Sequence, residues 1–265
     1  MAESRQPVAL NRWSLIGLAV GVVFCAGVLI SLGNWQLHRL DWKLHLIDTV
    51  EKRTKLPPVA APGPDAWGGK TLEENNYRPV RLTGRFLHKG EAHVLTSLSE
   101  PRGRFGGPGY LIFTPFETED GWTVMVNRGF VPSPLKDRKK RPEKPEIAGE
   151  VTVEGLFRAP PPPNAYAPDP QIDKNVWYSR DVLKMAETAG LPVGRTAPYT
   201  VDLVAKETPA GGIPQAGETR MHWVNNHLQY ALTWYGLALA LLGVYGAFMW
   251  TNVIRPKRRQ GASRA

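Results

Sequence analysis

Two uncharged apolar runs limit what this chain can fold into. Residues 14–32, SLIGLAVGVVFCAGVLISL, hold 19 residues without a charge, and Leu228–Trp250 holds 23. At about 1.5 Å per residue these make helices of roughly 28 and 34 Å, enough to cross a hydrocarbon core of about 30 Å. Neither run has a polar face, so neither suits the surface of a soluble domain. The first is too long for a cleaved signal peptide, and no small-x-small site follows before Trp35, so it is expected to stay as an anchor. No Arg- and Ser-rich transit sequence precedes it, which points to a bacterial inner membrane. Trp13, Trp35, Trp223 and Trp250 stand at the four ends of the runs, where indole favours the headgroup level.

Flanking charge sets the expected orientation. Arg255, Lys257, Arg258, Arg259 and Arg264 follow the second run with no acid among them, a cytoplasmic signature. Two spans place both termini on one side. The expected order is a cytoplasmic N-terminus (1–13), a first transmembrane helix (14–34), an external periplasmic domain (35–226), a second transmembrane helix (227–250) and a basic cytoplasmic tail (251–265). The net charge of +9 owes part of its size to that tail and reads as contact with anionic lipid. No basic patch with interleaved aromatics or known module suggests nucleic acid. The single cysteine, Cys25, lies inside the first run. The external part therefore has no thiol for disulfides, copper carriage or redox exchange.

The external part alternates polar and apolar residues. Tyr77–Leu87, Glu91–Ser97, Tyr110–Glu117, Trp122–Val126, Val151–Phe157 and Tyr199–Val204 read as strands. In the first, Val80, Leu82 and Phe86 share one face and Arg81 and Arg85 the other. Glu119-Asp120-Gly121 is a hairpin turn. Residues 34–53 extend the first span as a helix, in which Asp41 and His45 can pair. Residues 56–69 read as a Pro/Gly linker and Ser179–Ala189 as a helix stopped by Gly190. The expected fold class is a membrane protein with two transmembrane helices flanking an external α+β domain, mainly antiparallel β, either open or closed into a full or half barrel.

Chemistry is sparse. His88 and His93 flank Glu91, but odd spacing puts them on opposite faces of a strand, and an exposed hairpin is expected. Gly103–Gly109 reads as a flexible loop, and Asn127-Arg128-Gly129 as a tight turn that aims Arg128. No HExxH, phosphate loop, GxSxG elbow or Ser/His/Asp set is present, which leaves no basis for an enzyme. The mouth of the second span differs. Asn225 or Asn226 can cap the helix, placing His227 in its first turn, where the helix dipole disfavours imidazolium. His227, Tyr230, Ala231 and Trp234 follow at helical spacing. Gly236, Gly243 and Gly246 offer surfaces for close helix packing. Two readings stand: an interfacial histidine bonded to the domain or a partner, which the residues alone favour, or a neutral imidazole that binds iron.

Several segments resemble the surfeit locus family of cytochrome c oxidase assembly factors. They are Gly33-Asn34-Trp35-Gln36-Leu37-His38-Arg39-Leu40 with Trp42-Lys43; Pro79-Val80 to Gly84-Arg85-Phe86; Thr114-Pro115-Phe116; Val126 to Pro132; Val153 to Arg158; Asn175 to Asp181; and Asn226-His227-Leu228-Gln229-Tyr230-Ala231-Leu232-Thr233-Trp234-Tyr235. Phe130, where the family often has Trp, and Ala216 and Glu218, in a stretch usually richer in Gly, depart from its pattern. The resemblance implies a non-enzymatic factor that binds haem a and assists its insertion into the largest subunit of a haem–copper oxidase. It implies His227 as the iron ligand. The family role makes Arg39 and Arg220 candidates for the propionates, and Trp35, Tyr230 and Trp234 candidates for packing on the macrocycle. His38 is a weak candidate for a second axial ligand. Haem a synthase and membrane lipid join the oxidase subunit as expected partners. A cofactor-free scaffold for oxidase intermediates is the alternative. An external sensor or polysaccharide-length regulator shares the two-span layout, but would place long heptad helices between the anchors.

Overall fold

A computed structural model describes residues 11–141, 149–162, 167–219 and 225–255. The chain forms two compact units, Met1–Asp48 with His222–Ala265, and Thr49–Met221.

The central unit is a closed five-stranded barrel. Its ring runs β2 (Pro79–Phe86), β6 (Val151–Arg158), β7 (Thr196–Leu203), β5 (Thr123–Pro132), β4 (Gly107–Thr118) and back to β2. β1 (Val59–Ala60) adds to β2 in parallel, with the short helix α2 (Gly69–Glu74) between them in the chain, and β3 (Ala92–Leu98) adds to β4. Pairing around the ring is antiparallel except between β5 and β7, which run parallel. Closure depends on β2 changing partners. Its residues Pro79–Gly84 pair with β6, while Gly84–Phe86 pair with β4. Gly84 stands at the corner, where an added Cβ would lie 2.1 Å from the Glu117 carbonyl oxygen, so only glycine lets the strands meet.

The alternation read from sequence sets the inside and outside of this ring. Val80, Leu82 and Phe86 pack inward with Phe116, Val124, Val126, Val153, Phe157, Tyr199 and Val201. Arg81 and Arg85 face outward and meet Glu154 (3.2 Å) and Glu117 (2.7 Å) across the strands. β5 departs from alternation because both of its faces are covered. Val124 and Val126 join the barrel core, while Met125 packs with Ala92, Val94, Phe113, Trp177 and the helix α3 (Val182–Thr188). α3 lies within the expected Ser179–Ala189 segment. Asp181 caps it by accepting from the Lys184 N–H, and Gly190, at φ +70°, follows it.

Three loop expectations are corrected. The Pro/Gly stretch 56–69 is not a bare linker. It contains β1, and its Pro62 carbonyl accepts from the Tyr199 hydroxyl (2.6 Å) and the Trp67 indole (3.0 Å). Asn127-Arg128-Gly129 is not a turn but part of β5. Phe113 faces Asn127 and Ile112 faces Gly129, so Arg128 is the extra residue of a bulge, its guanidinium 5.1 Å from the centre of the Phe86 ring. The glycine-rich 103–109 segment is held rather than loose. The Glu218 carboxylate accepts from the N–H groups of Arg102 and Gly103, and Gln215 bonds Phe105 through both its oxygen and its nitrogen.

The other unit is a pair of helices, the first of which belongs to it as far as Asp48. α1 (Arg12–Thr54) is continuous through the expected extension, and its 43 residues span about 64 Å. Asp41 and His45 approach to 3.7 Å on its surface. α4 (His227–Met249) runs into a wider turn, Trp250–Ile254. Both are long and apolar enough to cross a membrane. The side chains of this unit are distributed inside out relative to the barrel. Val22, Ala26, Ala231 and Ala238 are buried, whereas Phe24, Val23, Leu239 and Val244 are about 70 % exposed.

Candidate functional site at the mouth of α4

The two helices meet antiparallel through the two segments that stood out in the sequence. Gln36 bonds His227, while Asn34 bonds Tyr235 two turns further along α4. Close approach is made at Gly33, where a Cβ would fall 2.7 Å from the Tyr235 ring. The Tyr235 hydroxyl crosses beside it and donates to Asn34 Oδ1 at 2.6 Å. Gly236, Gly243 and Gly246 do not serve this contact, since nothing lies within 4 Å of a Cβ at any of them. The seam instead uses Ala231 and Ala238, at the four-residue and seven-residue spacing from His227 and Ala231 that a helix pair requires.

His227 is the first residue of α4. Its N–H is received by Asn225 Oδ1 at 3.4 Å, while Asn226, at the capping position, makes no side-chain cap. The ring lies half-buried, with Nδ1 2.7 Å from Gln36 Oε1. An amide oxygen only accepts, so Nδ1 is the donor in this bond and Nε2 is the nitrogen left for another partner. Nε2 has no hydrogen-bond partner among the described residues. This is the donor arrangement of a metal-ligating histidine, whose second nitrogen donates to a carbonyl or carboxylate that fixes the ring.

The other expected site residues separate. Trp234 is half-buried, two turns along from His227, whereas Tyr230 is exposed. Trp35 and Arg39 lie on exposed α1 surface, where the Arg39 guanidinium stacks 4.4 Å from the centre of the Trp42 ring. His38 is also exposed. No hydrogen bond, ion pair or ring contact joins Tyr230, Trp35, Arg39 or His38 to His227 among the described residues. Arg220 lies outside the described residues. Gln36, Asn34 and Tyr235 were not expected at the site. Their signal was present: Gly33, Gln36 and Leu40 recur at the spacing of one helix face.

Buried charge in the barrel unit is paired, as Arg158 with Asp202 at 3.2 Å and as a cluster around Glu91. Glu91 accepts from His93 Nε2 (2.6 Å) and Arg141 Nη2 (2.9 Å), and the three side chains are at most 10% exposed. Burial pushes the Glu91 carboxyl up, but these two donors outweigh it and hold its pKa at about 2. The expected exposed hairpin at His88–His93 is therefore corrected. His88 stacks on Phe86, 5.8 Å between ring centres, and His93 bonds the Glu91 carboxylate in the interior. Among the described residues no three His, Cys, Asp or Glu gather closely enough to hold a metal ion.

The family model described as the SURF1 family matches residues 23–239, a span that takes in Gln36, the whole barrel and His227. The chain belongs to the SURF1 family. Its relatives in that family include the Surfeit locus protein 1 of Homo sapiens, 37% identical over 221 residues, covering 79% of this chain and 70% of the relative. The Surfeit locus protein 1 of Xenopus tropicalis is 33% identical over 250 residues, 90% of this chain and 75% of its own. A SURF1-like protein of Monosiga brevicollis is 32% identical over 278 aligned positions, covering all of this chain and 96% of its own length. The last of these matches, covering all of the chain, takes in both helices and the barrel between them.

Proposed function

We propose that this SURF1-family chain is a non-enzymatic, membrane-anchored assembly factor for a haem–copper terminal oxidase. In this reading it holds haem a through His227 and assists its passage to the largest oxidase subunit. The observation that carries the reading is the His227–Gln36 bond, which engages Nδ1 and leaves Nε2 as the nitrogen open to a ligand at the start of an apolar helix. That donor suits haem iron. The bound group would supply the redox-active iron and a long apolar tail; His227 would supply one ligand nitrogen, and the helices an apolar surface. Trp234 and Tyr230 are the aromatic surface nearest in helical phase, Trp35 is a further packing candidate, and Arg39 and Arg220 are the cations offered to the propionates.

The same reading places α1 and α4 across a bacterial inner membrane, with both termini cytoplasmic and the barrel periplasmic. It is supported by how little the helices cover each other. Only 11% of the most apolar window of α1 and 6% of that of α4 are buried, which leaves a large apolar surface for lipid. Haem a synthase and membrane lipid are the further partners of this reading, and nucleic acid has no part in it.

The test is to purify the full chain in detergent from cells that make haem a. A haem spectrum present in the wild type and lost in His227→Ala supports the reading. Unchanged haem in His227→Ala removes the ligand assignment. A wild-type chain that carries no haem yet still co-purifies with oxidase subunits makes it a cofactor-free scaffold.

A further inference from the structure

An imidazole at a helix start has two tautomers and a ring free to turn about its side-chain bonds. Of these, only the form protonated at Nδ1 offers Nε2 as a ligand. We propose that Gln36 is the positioning residue for His227, accepting from Nδ1–H so that Nε2 remains the ligand nitrogen. The inference rests on the haem reading above and deepens it. It starts from a polar side chain in an apolar setting. Along the same face of α1 stand Val22, Ala26, Leu29, Gly33 and Leu40, and a leucine in place of Gln36 would continue that pattern. An amide there is disfavoured unless it finds a donor, and the donor it finds is His227, 191 residues away in sequence.

The register that brings the two together is fixed independently. Gly33 admits the Tyr235 ring, and the Tyr235 hydroxyl bonds Asn34, two residues before Gln36. A sliding of one helix on the other would break that bond and move Gln36 off His227. The choice of acceptor also has a chemical meaning. A carboxylate in this place would draw the Nδ1 proton and make Nε2 a stronger donor to iron. The neutral amide orients the ring without that push, which suits a protein that must give its haem away.

The experiment compares the full chain in detergent, wild type against Gln36→Leu, Gln36→Glu and His227→Ala. Nitrogen NMR of the haem-free chain reads the tautomer of His227. It should be Nδ1-protonated in the wild type and shift toward Nε2-protonated in Gln36→Leu. Haem affinity should fall by about 10- to 100-fold in Gln36→Leu. Gln36→Glu should keep haem and move its midpoint potential to a more negative value. An unchanged tautomer, affinity and potential in both Gln36 variants, with haem still lost in His227→Ala, overturns the positioning role and leaves the ligand reading intact. Retention of unaltered haem by His227→Ala overturns both. Should Gln36→Leu fail to fold, the potential of Gln36→Glu decides alone, and an unshifted value overturns the proposal.

Discussion

The barrel and the helix pair solve opposite problems with the same twenty side chains. In the barrel, apolar residues fill the inside and charged pairs such as Arg85–Glu117 decorate the outside. In the helix pair the apolar residues lie outside, and the polar contacts, Gln36–His227 and Asn34–Tyr235, lie on the seam. Water rewards the first arrangement by hydrophobic burial. In the membrane setting proposed for the helix pair that reward would be absent, and specificity would come from close backbone approach and from polar groups that have no better partner. A core substitution and a seam substitution should therefore break different things.

The largest separation is expected for Phe157→Ala. Phe157 is fully buried and sits 4.1 Å from Tyr199, centre to centre. Its loss should cost the barrel about 3–5 kcal/mol. Denaturant unfolding followed by Trp fluorescence checks this. The His227–Gln36 contact should survive in conditions where the variant barrel remains folded.

Acid should act next, and on the barrel alone. Glu91 has a pKa near 2 in the fold against 4.5 as its ordinary value. Its stabilisation is thus complete above about 4.5 and lost as pH falls towards about 2, on the order of 3 kcal/mol in all. Unfolding midpoints measured through that range should fall with pH in the wild type. In Glu91→Gln the slope should flatten, and an equal slope would show that the Glu91–His93–Arg141 cluster does not carry the effect.

Gly33→Ala should cost about 1–3 kcal/mol of helix pairing, because the new methyl must displace the Tyr235 ring. Cysteine crosslinking between α1 and α4 near the seam checks the loss, and barrel unfolding should not change. The smallest effect is expected for Arg85→Ala. Its guanidinium is 66% exposed, and the surface pair should contribute no more than about 1 kcal/mol. A larger loss would mean that the outer face of β2 is covered by something beyond this chain.

The two regions also differed in how much of them could be read beforehand. The five strands of the ring and β3 were legible in whole or in part, most clearly β2, where one face meets water and the other does not, so residues alternate. The C-terminal half of β5 was not, because burial on both faces erases alternation at Val126–Val131. β1 was hidden by its two-residue length among prolines. In the helix pair, spacing showed that His227, Ala231 and Trp234 share a face. It could not show that Gln36 lies opposite, since a contact between distant segments leaves no periodic trace. The close approach was expected at the glycines of α4 and is made instead at Gly33 of α1, because the residue that needs room is the Tyr235 ring.

The place of β7 in the ring has a consequence for how the protein is made. β7 lies between β5 and β6 and bonds to both, yet it is the last strand to leave the ribosome. Until Thr196–Leu203 emerges, β5 and β6 each keep a bare edge, with their backbone groups open to any passing strand. A message cut short before that point would yield not a smaller working barrel but a sheet with two adhesive borders. The last strand is a clasp, and the domain is either fastened or open to misassembly.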